Sequence, residues 1–132
     1  MEIIKDKDDN ILAMLIRAEY VPSRTEFYTP DTFSQQLGII KYPTGHKIKP
    51  HYHNLVERNV QYTQEVLVIR KGKVKVNIYD KNLDFVVEIV LNTHDVILLA
   101  SGGHGFEMLE DAEMLEVKQG PYNGIQNDKT HF

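Results

Sequence analysis

Polar and apolar positions alternate strictly through KVKVNIY at 73–79, with Val74, Val76 and Ile78 on one side and Lys73, Lys75 and Asn77 on the other. A period of two is that of a strand with one covered and one wet face. Just before it, EVLVIRKG at 65–72 reads as a partner strand closing in a turn at Lys71 and Gly72. Just after it, DKNLD at 80–84 has the polar, Asn-type composition of a hairpin turn and leads into FVVEIVL, an apolar run suited to a more fully covered strand. Short apolar runs punctuated by Asp, Asn, Gly and Pro continue along the chain. Strands are expected at 11–17, 35–42, 48–53, 65–71, 73–79, 84–91, 95–99, 104–109 and 113–118. Helical signals are thin: SRTEFYTPDTFSQQ carries Ser, Thr and Asp caps, but Pro30 breaks any long helix there. The polar C-terminal PYNGIQNDKTHF reads as a surface strap or a partly disordered tail. The pattern is that of an all-β sandwich or barrel.

Composition narrows the function classes. With 132 residues and 42% hydrophobic content, one compact domain with a real core, spanning 1–132, is expected. The chain has no cysteine, which excludes disulfides, a thiolate nucleophile and zinc-finger chemistry. A formal net charge of -4 offers no basic field for nucleic acid. The longest apolar run, ILAMLI at 11–16, is too short to span a bilayer, and MEIIKDKDDN lacks the apolar centre of a signal peptide. The expectation is a cytoplasmic protein with no membrane and no nucleic-acid partner.

Metal-ligating side chains are the chemistry that stands out. His51 and His53 are separated by one residue on a segment that reads as extended, so their imidazoles share a face and can aim at one ion. Glu65, at the start of the next strand, is placed to add a carboxylate, and His104 in the Gly-rich SGGHG turn can add a fourth donor. Three imidazoles and one carboxylate on an octahedral ion leave two positions open, the mark of a catalytic rather than a structural metal. These ligands tolerate Fe, Mn, Ni, Co, Cu or Zn. His46, His94 and His131 fit surface or capping roles.

Gly45, five residues, His51, one residue and His53, followed by Glu65, six residues and Gly72, resemble the first cupin motif. The eleven-residue connection NLVERNVQYTQ is longer than cupins usually have between the second His and the Glu. Glu57 stands at the family's usual spacing from His53, but the residue seven beyond it is Gln64 rather than Gly, so Glu65 is preferred and Glu57 stays as the alternative carboxylate. The second motif keeps Asp95 and Gly102. It has His94 where Gly is usual, Ala100 where Pro is usual, His104 one residue early, and Met108 where Asn is common. The resemblance covers about Thr44 to Met108.

It implies a double-stranded β-helix, the jelly-roll barrel of cupins, with a metal held by His51, His53, Glu65 and His104. By resemblance the function is that of a metal-dependent enzyme, a dioxygenase or a sugar isomerase or epimerase, acting on a small oxygen-bearing metabolite. The alternative is a non-catalytic barrel that binds a sugar or nucleotide-sugar; a third reading is a metal that only pins strands together. Glu57 and Tyr62 are the nearest catalytic acid–base candidates. Tyr42, Arg58, Gln64, Phe106 and Met108 are candidate substrate contacts, Arg58 as part of a lid over the pocket and Phe106 and Met108 as an apolar wall beside His104. Cupins commonly pair through sheet edges, so a homodimer is expected, using ILAMLIRA or another edge strand.

Overall fold

Alternation becomes burial along β5 (Glu65–Lys71) and β6 (Lys73–Tyr79): Glu65, Leu67 and Ile69 point inward on the first, and Val74, Val76 and Ile78 on the second. The computed structural model describes residues 1–122 and 124–132, with the side chain of Ile125 excepted. It divides into two units, one of residues 1–20 and 62–132, the other of residues 21–61.

The larger unit is nearly all strand. β1 (Glu2–Lys5), β2 (Ile11–Ile16), β8 (Val96–Leu99), β5 and β10 (Glu113–Lys118) form a five-stranded antiparallel sheet in the order β1-β2-β8-β5-β10. β7 (Phe85–Asn92), β6 and β9 (Gly103–Met108) form a three-stranded antiparallel sheet in the order β7-β6-β9. A single buried cluster joins the two: Leu15, Leu67, Ile69 and Ile97 from the first sheet meet Val74, Val76, Ile78, Ile89 and Leu91 from the second. Two sheets, each with one apolar face, bury those faces against each other. Each fully covered Leu, Ile or Val contributes about 1.5–3 kcal/mol of transfer free energy before entropy is counted.

The turns follow from local chemistry. Asp80 Oδ1 accepts the backbone N–H groups of Asn82 at 2.8 Å and Asp84 at 3.0 Å, which closes the expected β6–β7 hairpin. Gly72 has φ +80°, and a Cβ there would lie 2.2 Å from the Asp111 carbonyl oxygen, so no other residue fits that turn. Before β8, Asp95 is buried; its Oδ1 accepts Ala18 N–H at 2.9 Å and its Oδ2 accepts Asn92 N–H at 2.9 Å and Arg17 Nη1–H at 3.0 Å. His94, standing where the motif usually has Gly, takes the left-handed conformation that position demands, at φ 73°.

The smaller unit is a short hairpin of β3 (Glu26–Phe27) and β4 (Gly38–Ile39) braced by side chains. Thr25 Oγ1 donates to Lys41 O and accepts Lys41 N–H, and Gln36 Nε2 donates to Pro30 O and Phe33 O.

Several expectations are corrected. Residues 48–53 form no strand: Pro50 has no N–H to give a ladder, and every residue from Ile48 to His53 is exposed. The strand expected at 35–42 contracts to Gly38–Ile39, because Gln36 is engaged by turn carbonyls. ILAMLI is no edge strand: β1 folds back on it through a turn in which Asp6 Oδ1 accepts the N–H groups of Asp8 and Asn10, so β1 and β10 are the edges of that sheet. The C-terminal segment holds a one-turn helix, α1 (Ile125–Asp128).

Candidate functional site

In the larger unit, ladder register brings two expected donors together. β5 begins at Glu65 with its side chain on the covered face, and the register Ile78↔His104 puts His104 on the face of β9 that Ile78 shares. His104 Nε2 lies 3.2 Å from Glu65 Oε2 although the two residues are far apart in sequence. The carboxylate is 8% exposed. The hydrogen bond from His104 holds the Glu65 carboxyl below the ordinary carboxylate range, against the opposing effect of burial, with Lys129 and Lys118 adding smaller favourable charges. Lys118, paired with Glu65 in the β5–β10 register, places Nζ 3.8 Å from Glu65 Oε1, 3.4 Å from Glu116 and 3.3 Å from Asp128. Next to Glu65, the Gln64 N–H donates to Gln119 Oε1 at 2.6 Å.

The spacing of the first pair suits a shared ion. Donors about 2.1 Å from one metal are about 3.0 Å apart at a right angle and about 3.4 Å apart at a tetrahedral angle. The observed 3.2 Å falls between them. One imidazole nitrogen and one carboxylate oxygen are also the donor types that borderline divalent metals take.

In the smaller unit His51 and His53 are neighbours, with ring centroids 5.6 Å apart and planes at 74°. His51 Nδ1 sits 2.9 Å from Lys49 O. Donating Nδ1–H to that carbonyl leaves the Nε2 lone pair free, the arrangement typical of a ligating histidine. The four expected ligands therefore fall into two local pairs, one in each unit. Among the described residues, no set of three or more His, Asp or Glu side chains stands at metal-holding distances.

The other expected site residues vary in support. Phe106 and Met108 share the face of His104, and Phe106 lies 5.4 Å from its ring, but both are exposed at the end of β9 and so do not form a covered apolar wall. Gln64 is buried. Tyr62 is exposed. Glu57 is exposed too, and Arg58 makes a local 3.4 Å contact to Val56 O. Tyr42 stacks on His46, with centroids 3.9 Å apart. Sequence reasoning missed Lys118, Gln119 and Asp128. The alternation of β10 does put Lys118 and Glu116 on one face, but only the register with β5 sets that face beside Glu65.

Comparison of the chain with protein-family models, with curated proteins and with solved structures found no match in any of the three. Among the described residues, no helix is long and apolar enough to cross a membrane.

Proposed function

We propose that this protein is a metal-binding cupin, a jelly-roll barrel acting on a small oxygen-bearing metabolite, with the substrate class that of a dioxygenase or a sugar isomerase or epimerase. The observation that carries this reading is the 3.2 Å approach of His104 Nε2 to a buried Glu65 carboxylate, a separation that two donors of one ion share. Glu65 and His104 would hold the metal, with His51 and His53 added on the motif resemblance. When bound, such an ion supplies Lewis-acid or dioxygen-activating chemistry at its free positions. The chain's own contribution is to keep Glu65 ionised beside the Lys118 ammonium, and to set Leu67 and Ile69 along the same covered face of β5 as an apolar, water-excluding floor. A cytoplasmic homodimer belongs to the same proposal, with β1 or β10 as the pairing edge; light scattering that finds only monomer at micromolar concentration removes the dimer.

Elemental analysis of protein purified without a histidine tag tests the metal. The expected result is about one transition-metal ion per chain, lost in Glu65→Ala, in His104→Ala and in the His51→Ala/His53→Ala double variant, and kept in Glu57→Ala. Equal metal in all of them ends the proposal, and loss in Glu57→Ala with retention in Glu65→Ala reassigns the carboxylate.

A second reading is favoured by Lys118. With His104 and Lys118 both on Glu65, the carboxylate is satisfied without an ion, which suits a barrel that recognises a sugar or nucleotide-sugar by hydrogen bonds alone. Metal-free wild type that still binds such a ligand in calorimetry would establish it.

A further inference from the structure

From Ile40 to Gln61 the chain carries Lys41, Lys47, Lys49 and Arg58 against Glu57 alone, although the whole chain stands at -4. Every residue of that stretch is exposed, the apolar side chains included, with Tyr52 at 85% and Ile48 at 55%. Among the described residues, Lys47, Lys49 and Arg58 form no ion pair. Large apolar side chains set in the open among charges mark a surface made for contact.

A patch of the opposite sign lies on the larger unit. Residues 107–116 hold Glu107, Glu110, Asp111, Glu113 and Glu116 and neither Lys nor Arg. Lys75 engages Glu107, Lys73 engages Glu110 at 3.0 Å and Lys118 engages Glu116 at 3.4 Å. Among the described residues Asp111 and Glu113 form no ion pair, although Glu113 stands opposite Lys71 in the β5–β10 ladder. Met108, Leu109 and Leu115 are exposed beside these carboxylates. Glu113 and Leu115 belong to β10, an open edge of the five-stranded sheet, where the backbone can still take a partner. β1, the edge at the far side of that sheet, carries Glu2 and Lys5, one charge of each sign, and offers no such field.

We infer that a second copy of this chain covers both patches: the basic, apolar stretch 40–61 of each protomer seats on the acidic run 107–116 of its partner, beside β10. This rests on the homodimer of the proposed function and selects β10 over β1 as its side. Each chain carries one patch of each sign, so a two-fold axis makes the contact twice and leaves neither patch to recruit a third copy. Opposite charges steer and register the contact, and the apolar side chains between them supply the area removed from water. Added salt weakens such a pair.

Sedimentation equilibrium of the metal-free full chain at low ionic strength tests this, with Lys47→Glu/Lys49→Glu as one variant and Asp111→Lys/Glu113→Lys as the other. All four positions are exposed, and an unchanged urea midpoint shows that each variant is folded. Each variant alone should dimerise about ten-fold more weakly than wild type. An equimolar mixture of the two should recover the wild-type affinity, because in the mixed pair both contacts again join opposite signs. Tyr52→Ser should weaken the pair about five-fold and leave its salt dependence unchanged. Dimers of unchanged affinity in both charge variants keep the homodimer and overturn this surface, and a mixture no tighter than its components overturns the complementarity. Wild type that stays monomeric and co-sediments with vesicles of phosphatidylcholine and phosphatidylserine removes the dimer and gives the stretch to an anionic lipid surface. Metal content, read separately by elemental analysis, is untouched by any of these results.

Discussion

Strand β5 and the segment 48–61 both carry expected metal donors, and the chain holds them by different means. On β5, Glu65 is placed by ladders to β8 and β10 and by the covered face it shares with Leu67 and Ile69. A one-residue slip would turn that whole face over, so burial of the apolar partners sets the direction of the carboxylate. On 48–61 there is no ladder, every residue is exposed, and the placement of His51 and His53 is local, resting on a Lys49 carbonyl and the contact of the two rings. Ladders and burial therefore surround one donor pair and not the other.

The largest expected effect breaks the stable side. Ile69→Ala removes a fully buried side chain two positions along the face from Glu65, and should lower unfolding free energy by about 3 kcal/mol, read from the urea midpoint at constant slope. A loss below about 1 kcal/mol would mean the two-sheet core is not packed as described.

A smaller effect separates the donors by pH. The folded Glu65 carboxyl titrates below its ordinary value near 4.5, so its contribution to stability is complete above that value and disappears as pH falls through the folded one. Metal-free wild type should therefore lose stability more steeply than Glu65→Gln between about pH 5 and pH 3, where the unfolded carboxyl takes up its proton first. Parallel curves for the two proteins would show that the His104 contact does not favour the ionised form.

The smallest effect lies on the other side. In metal-free protein, Leu55→Ala, at a fully exposed position, and His53→Ala, also exposed, should each shift unfolding free energy by less than about 0.5 kcal/mol. A loss above about 1 kcal/mol in either would show that the segment is packed as firmly as β5 and that the contrast is false.

Much of the scaffold was legible in the residues. KVKVNIY and EVLVIRKG read as strands because alternation and burial have the same cause, and DKNLD read as a turn because Asp80 can accept two backbone N–H groups within four residues. The segment 48–53 misled because two histidines one residue apart look like a strand face, whereas Pro50 and the flanking lysines leave it without ladder or cover. ILAMLI misled in the opposite sense: an apolar run says that it is buried but not which strands flank it. The tail was hardest to read. The Phe132 ring meets Tyr79 edge-on above Gly103, residues distant from it in sequence, and no local pattern records that contact.

Periodicity, turn chemistry and side-chain types, all properties of neighbouring residues, were enough to establish an all-β chain rich in antiparallel hairpins and to nominate Glu65 and His104 as donors. Which residues meet was decided only in three dimensions. The register Ile78↔His104 and Lys118↔Glu65 gathered an imidazole, a carboxylate and an ammonium at one place. Register is selected by the summed burial of whole sheet faces, a quantity that no single segment contains.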